Sequence, residues 1–526
     1  MIPAAALKQY LARELDSHLW VKKLSLKEVN AAIRDLRPRP DLYSGLRIHQ
    51  RVCFMLGVAY PGFGFWLDMG TGKTLLALEL MRYWHQVGKI KRALVFVTSD
   101  KAFPTWERQV AEFEIGLPYI SLEGSSEQKW AQLAEFDEGL VFVTYPGATA
   151  MVSRKVPARG KGKKMKMELD PKKVAALARW ANAIVIDEST KVGNHQSLTY
   201  KLLDKLRGYT DICYALAGRP FGRDPTMLWS QYDLIDEGET LGETLGLFRA
   251  AFFVEKKIHW DKTGRAREYK FEDKKRPVLS KMLQHRSITY GAEECIDLPA
   301  LVPVIEELSF SSEAETYYEL VVKKIIASKG NLKEMKNAFI RMRQCSSGFV
   351  GMVDDETGEK AEIEFVENPK LDWTLEKADA LPDGRKMVIF YEYTWSGRRL
   401  TEELTKLGLN PIWLWSGTKD SRAELKRFDE DPTCLTAVIN HKVGAYSLDG
   451  LQRVANYLVF YESPVSVIDR EQAERRLRRD GQSYKVFQYD PVVRGSVDRK
   501  ILQFHAEGEE LMTALLRDPE KVLGDK

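Results

Sequence analysis

LDMGTGKTLLALEL, residues 67–80, runs from the end of an apolar segment through a glycine-rich turn into a helical pattern. Gly70 and Gly72 free the backbone to turn its N–H groups onto a phosphate chain. Lys73 reaches the β and γ oxygens, Thr74 is placed for Mg²⁺, and the helix N-terminus adds its dipole. Leu67 stands where the usual pattern has its first glycine. Downstream, AIVIDEST (183–190) is an apolar strand that ends in paired carboxylates. Asp187 is expected to hold Mg²⁺ through water, and Glu188 to orient or deprotonate an attacking water. A strand that delivers a phosphate loop and a second that delivers two acids make a nucleoside triphosphatase site.

Outward from these two points, short β-rich apolar runs alternate with helical stretches. In the first half they read GFGFWLDM (centred on 64–69), ALVFVTS (93–99), GLVFVTY (139–145), AIVIDE (183–188) and CYALAG (213–218). In the second half they read KMVIFYEY (386–393), NPIWLWSG (410–417), LTAVINHK (435–442), NYLVFYES (456–463) and YKVFQYD (484–490). Runs apolar on both faces suit central strands of parallel sheets, and helices between them suit doubly wound α/β lobes. The expected fold is therefore α/β, with two tandem doubly wound lobes at 41–240 and 300–497. A charged insertion or linker is expected at 241–299, a helical appendage at 1–40 and a helical brace at 498–526.

Composition sets bounds without naming a partner. With 44% hydrophobic and 29% charged residues, the 526-residue chain can bury sizeable cores. The 79 basic and 75 acidic residues leave a formal charge of +4, too mild by itself to announce a nucleic-acid binder. Five cysteines stand singly, without a CxxC pair, which disfavours a disulfide scaffold or zinc ribbon and suggests a reducing compartment. No apolar run approaches the roughly 18 residues of a membrane helix, and the N-terminus meets charge too soon for a signal peptide. The expected location is the cytoplasm, the host's if the chain is viral.

Further motifs follow in a fixed order. GLRIHQ (45–50) precedes the phosphate loop, and VTSDKAFPTWERQVAEF (97–113) follows it. DESTKVGNHQS (187–197), LAGRPFGRDPTMLWSQYDLI (216–235), CIDLP (295–299) and QAERRLRRDGQ (472–482) complete the series. Together they resemble helicase superfamily two, specifically the Swi/Snf-like DNA translocase ATPases, and among them the small bacteriophage or prokaryotic members. The resemblance spans about residues 41–490. It implies two RecA-like lobes that close on ATP and step along a nucleic-acid strand.

Carried over position by position, the resemblance makes Gln50 the reader of adenine. Gly70, Thr71, Gly72, Lys73 and Thr74 would bind phosphates, with Mg²⁺ at Thr74 and Asp187. Glu188 would serve as base. Arg476 and Arg479 would approach the γ-phosphate, Arg479 as the better finger candidate, with Gln482 beside it. Three departures stand out. Arg219 replaces the family's Thr in the coupling motif, and the fifth motif reads NHKVGAYSLDGLQRVANY (440–457). The arginine motif carries Arg475 and Arg478 where the family has Asp and His.

Loops after strands are where such proteins grip phosphate backbones. The expected contacts are Ser99, Lys101, Thr144, Tyr145 and Lys191, and in the second lobe Tyr393, Ser416, Lys419 and Lys442. SRKVPARGKGKKMKMELD (153–170) adds a basic loop that reads as a DNA grip, a solvated loop or a partner contact. Trp413 and Trp415 read as core or sheet-face residues. The expected partner is DNA, duplex preferred and single strands possible, acting on a monomer or a DNA-assembled form. A strand-separating or branch-remodelling helicase is the alternative reading, a restriction-system motor subunit a further one, and a non-hydrolysing nucleic-acid-binding module the reading from another class.

Overall fold

Strands apolar on both faces need a helical layer on each side, and both halves of the chain meet that demand with a wholly parallel sheet. The structure is a computed structural model that describes residues 18–157, 165–221, 225–257, 267–328, 331–353, 360–444 and 450–506. The chain divides into two units, Met1–Ile296 and Asp297–Lys526. Among the described residues, no helix is long and apolar enough to cross a membrane.

The strands of the first unit are β1 (Gly62–Leu67), β2 (Arg92–Val97), β3 (Tyr119–Ser121), β4 (Gly139–Thr144), β5 (Ser153–Pro157), β6 (Met165–Leu169), β7 (Ala183–Asp187), β8 (Ile212–Ala217), β9 (Phe253–Lys257), β10 (Arg267–Phe271) and β11 (Ser287–Tyr290). Seven form one sheet in the order β11-β1-β8-β7-β2-β4-β3, every pair parallel. Period-two alternation splits each strand between two cores. Phe63, Phe65 and Leu67 of β1 enter one core, and Trp66 enters the other. Likewise Val185 faces the first, while Ile184 and Ile186 face the second. The pairs β5–β6 and β9–β10 are separate antiparallel hairpins.

The second unit holds β12 (Leu301–Leu308), β13 (Phe349–Val353), β14 (Lys360–Glu364), β15 (Lys386–Tyr391), β16 (Ile412–Leu414), β17 (Thr436–Asn440), β18 (Ala455–Phe460) and β19 (Val486–Val493). Its parallel sheet has the order β12-β19-β18-β15-β17-β16. Val388 and Phe390 of β15 face one core, and Met387, Ile389 and Tyr391 the other.

The structure redraws several expected boundaries. The segment 241–299 is not simply an insertion and linker. It holds the helix Leu245–Phe252 and the β9–β10 hairpin, and its end supplies β11, which pairs with β1 from Gly64↔Ser287 to Leu67↔Tyr290. The helix Tyr145–Val152 begins where the sequence suggested strand, because Pro146 follows its first residue and the Thr144 hydroxyl accepts from Gly147 N at 3.0 Å. Helical structure appears at Leu26–Arg34 and Val497–Ala506. The loop residues 158–164, the fifth-motif residues 445–449 and residues 507–526 lie outside the described residues.

One buried ion pair anchors the second unit. Arg470 donates two parallel hydrogen bonds to Asp490 of β19, at 2.6 and 2.7 Å, and a third to Glu474 at 2.7 Å. Its guanidinium also stacks 3.5 Å from the Phe460 ring centroid. Removing one partner of such a pair strands a charge in the interior. Asp490→Ala is expected to destabilise this unit by about 3–5 kcal/mol. The loss should read as faster hydrogen exchange in β18 and β19 while β1 and β8 keep their protection.

Candidate functional site

The carboxyl ends of β1, β7 and β8 gather the first-unit motifs. After β1 the backbone takes left-handed turns at Gly70 (φ 80°) and Gly72 (φ 85°), and the helix Lys73–Gln86 starts at once. A side chain at Gly72 would be strained and would also strike Gln50, whose Nε2 lies 2.1 Å from where a Cβ would sit. Lys73 Nζ donates to the carbonyls of Leu67 (2.8 Å) and Asp68 (3.3 Å), so the ammonium lies over its own loop. Thr71 Oγ1 donates to Asp68 O at 2.7 Å, tightening the turn.

A buried pair from the preceding helix, Ile48–Ala59, braces this loop. His49 Nε2 lies 2.8 Å from Thr71 O. Burial, then the nearby Arg47, lowers the affinity of the imidazole for a proton, while the bond to Thr71 acts the other way. Gln50 accepts from Arg47 N at 2.8 Å and donates to Gly72 O at 3.4 Å. In this structure, then, the residue expected to read adenine has both ends of its amide on backbone, one of them on the phosphate loop.

The acidic motif sits on β7. Asp187 ends the strand, and Glu188 takes a left-handed conformation (φ 50°, ψ 55°) that is uncommon for a residue with a side chain. Burial and the neighbouring Glu188 push the Asp187 carboxyl up to about 7, opposed by the Lys73 ammonium, the Trp106 indole and the Glu188 N–H. Trp106, from the 97–113 motif, is buried and its indole bonds Asp187. Tyr145 corrects a further expectation. It is buried, its hydroxyl donates to Asp187 O at 2.5 Å, and it is a support of the acidic turn rather than an exposed phosphate contact.

A residue that sequence reasoning passed over joins two motifs. Gln231, on the helix Thr226–Asp236, is fully buried. Its Oε1 accepts from Ser189 Oγ at 2.7 Å, directly after Glu188, and its Nε2 donates to Pro220 O at 2.6 Å and Met227 O at 3.1 Å. A polar residue inside an otherwise apolar helix face was the available signal. Arg219, the departure in the same turn, has an exposed side chain.

The remaining expected contacts divide by exposure. Lys101 and Lys191 are exposed after β2 and β7, Ser99 and Thr144 are half-buried, and Thr144 caps a helix. In the second unit Ser416 and Lys419 are exposed, and exposed Lys442 pairs with Glu392 at 3.1 Å. Tyr393 is turned inward against Phe349, its hydroxyl buried, which corrects its reading as a surface contact. Trp413 and Trp415 stack on each other at 5.3 Å against the core, as sheet-face residues.

The arginine segment of the second unit lies on turns, since the helix Val467–Glu474 ends before it. Arg476 is buried and Arg479 half-buried. Gln482 spends its amide on Ala455 O (2.8 Å), Leu477 O (3.2 Å) and Tyr484 N (3.0 Å), so it closes the segment and does not present itself to a ligand.

The raised Asp187 carboxyl has a consequence for stability. Its ionised form is penalised only in the folded chain, so the penalty is absent below about pH 4 and complete above about pH 7. Asp187→Asn is therefore expected to stabilise the chain, without nucleotide or metal, by at most about 4 kcal/mol at pH 8. The gain should fade towards pH 4, as urea midpoints at the two pH values will show.

The profile described as the SNF2-related domain matches residues 61–349, over half of the chain. A Bacillus subtilis protein named as a candidate ATP-dependent helicase/translocase, YwqA, is 22% identical over 480 residues. That alignment covers 88% of this chain and 48% of the relative, so the chain spans about half the length of the curated relative it matches. Among solved structures, the Sulfolobus solfataricus SWI2/SNF2 ATPase core in complex with dsDNA is 18% identical with a TM-score of 0.40, covering 93% of this chain and 97% of that one. The C-terminal part of the Fun30 ATPase domain is 15% identical with a TM-score of 0.35, over 43% of this chain and 98% of that one. Because the profile match begins at the strand that delivers the phosphate loop and runs through the acidic motif, the chain belongs to the SNF2-related family, the Swi/Snf-like ATPases of helicase superfamily two.

Proposed function

We propose that the chain is a DNA-dependent ATPase that translocates on duplex DNA, remodelling it or displacing bound protein. The observation that carries the reading is the left-handed glycine turn with Lys73 after β1, on the same parallel sheet as an Asp187 that ends β7 and a Glu188 held on a strained turn after it. Gly70, Thr71 and Gly72 present backbone to a triphosphate, and the Lys73 ammonium leaves its loop carbonyls for the β and γ oxygens. The donor set suits Mg²⁺, since the Thr74 hydroxyl and the half-buried Asp187 carboxylate are hard oxygen ligands for a hard cation. When bound, that ion neutralises charge building on the phosphates. Glu188 orients the attacking water and takes its proton. Arg476 and Arg479 supply positive charge for a γ-phosphate, the role their motif has in the resemblance.

Lys101, Lys191, Lys419 and Lys442 are exposed cations after strands, and they supply sequence-independent, salt-sensitive contact with a phosphate backbone. The first lobe extends through β11, and the second begins near β12. The decisive experiment is the ATPase rate with duplex DNA, single-stranded DNA and RNA as separate stimulants. Duplex DNA is expected to stimulate most, and Lys73→Ala to abolish turnover. Turnover indifferent to every nucleic acid would overturn the reading. Displacement of a triplex third strand with the duplex left paired is expected, whereas separation of the duplex would favour a helicase.

Gln231 yields a finer prediction. Gln231→Leu leaves the Ser189 hydroxyl and the Pro220 carbonyl buried without their partner and loosens the turn that aims Glu188. Turnover is expected to fall roughly 10- to 100-fold with little change in the KM for ATP. Steady-state kinetics with saturating DNA will check the split.

A further inference from the structure

Asp68 is the residue between β1 and the glycine turn, and it faces two ways. Its backbone carbonyl accepts from Lys73 Nζ at 3.3 Å and from Thr71 Oγ1 at 2.7 Å, inside the phosphate loop. Its carboxylate Oδ2 accepts from Ala292 N at 2.9 Å, and its own N–H donates to Tyr290 O at 3.1 Å. Those partners lie 224 residues away along the chain at Ala292, on the segment that leaves β11 and enters the second unit at Asp297. A single residue thus holds the phosphate loop with its carbonyl and the departing chain with its carboxylate.

A second connection runs alongside. Thr71 O lies 2.8 Å from His49 Nε2, and the His49 ring sits 5.7 Å from the Tyr290 ring. The departing segment is itself braced. Gly291 N donates to Glu294 Oε1 at 3.3 Å, and Lys22 pairs with Glu294 at 2.7 Å while lying 4.3 Å from the Tyr290 ring centroid. A displacement of the loop backbone at residues 68–71 therefore pulls on a tethered segment rather than on slack chain.

We propose that Asp68 is a positioning residue that transmits the state of the phosphate loop to residues 291–297, the start of the path into the second unit. This rests on the reading of residues 70–74 as a nucleotide site. When Lys73 exchanges the Leu67 and Asp68 carbonyls for phosphate oxygens, Asp68 O loses a cationic partner and the peptide plane at Asp68 re-seats. The carboxylate on the same residue carries that change to the Ala292 N–H.

The junction can be cut from its far side without touching the loop. Ala292 is the first residue of the short helix Ala292–Cys295, and Gly291 before it is extended (φ −72°, ψ 152°). Proline is favoured at that helical position and after that conformation, so Ala292→Pro removes the donor with little backbone strain. Asp68→Ala removes the acceptor, and Asp68→Asn keeps one.

The test is backbone hydrogen exchange of the full chain with and without ATPγS and Mg²⁺. In the wild type and Asp68→Asn, nucleotide is expected to slow exchange both at 70–76 and, roughly tenfold, at 293–297. In Ala292→Pro and Asp68→Ala the response at 293–297 should vanish, while Ala292→Pro keeps the response at 70–76. A wild type that responds at 70–76 alone, or an Ala292→Pro chain that still responds at 293–297, overturns the proposal. Absence of any response at 70–76 in the wild type sinks the nucleotide-site reading, and this inference falls with it.

Discussion

A wholly parallel sheet allows no hairpin return, so each strand must be re-entered from the same end and every strand-to-helix loop collects at one edge. That constraint organises the first unit. The phosphate loop follows β1, the acidic turn follows β7, the Gly218-Arg219-Pro220 turn follows β8, and Lys101 follows β2. None of these segments is near the others in sequence. Crevices outside the carboxyl ends of strands are where open α/β sheets bind ligands. The chemistry is assembled by topology first and by side chains second.

Having been brought together, these loops are held in conformations the chain would not choose alone. Glu188 occupies a left-handed backbone that its side chain disfavours, and Asp187 keeps a carboxylate where burial favours the neutral acid. The surroundings supply the compensation: Trp106 and Lys73 face Asp187, Tyr145 takes its carbonyl, and Gln231 fixes Ser189 one residue beyond Glu188. Such strain is stable only because several independent contacts over-determine it. Gln231 also explains how the acidic turn stays tied to the Pro220 turn while Arg219, the substituted residue, points its side chain outward.

The central strands of both sheets were legible because burial on two faces writes an uninterrupted apolar run, as in β2, β4, β7 and β15. The edge strands β11 and β12 lack that signature. β12 reads LVPVIEEL with alternate residues exposed and a proline, and β11 reads SITY, so neither stood out from its charged flanks. The phosphate loop and acid pair were equally plain, since their chemistry demands fixed residue types at fixed spacing. The supports were not. Tyr145, Tyr393, Trp106 and Gln50 carry groups that suit an exposed contact as well as a buried bond, and only tertiary packing decides between the two. Net charge concealed the basic arginine segment because acidic residues elsewhere offset it.

That arginine segment shows how a cationic stretch is kept from behaving as a solvated surface. Immediately before it, Arg470 ties the helix Val467–Glu474 to Asp490 of β19 through a buried bidentate pair. Immediately after it, Gln482 bonds the Ala455 carbonyl at the start of β18 and the Leu477 carbonyl within the segment. Leu477 lies in the core midway between the two fixtures. Arg476 and Arg479 therefore hang on a short arch pinned at both ends and in the middle, which fixes where their backbone sits. A long, flexible cation pays heavily in rotamer entropy for each contact it makes. Fixing the backbone on three sides removes the main-chain share of that cost and leaves the side-chain rotamers as the part still to be ordered.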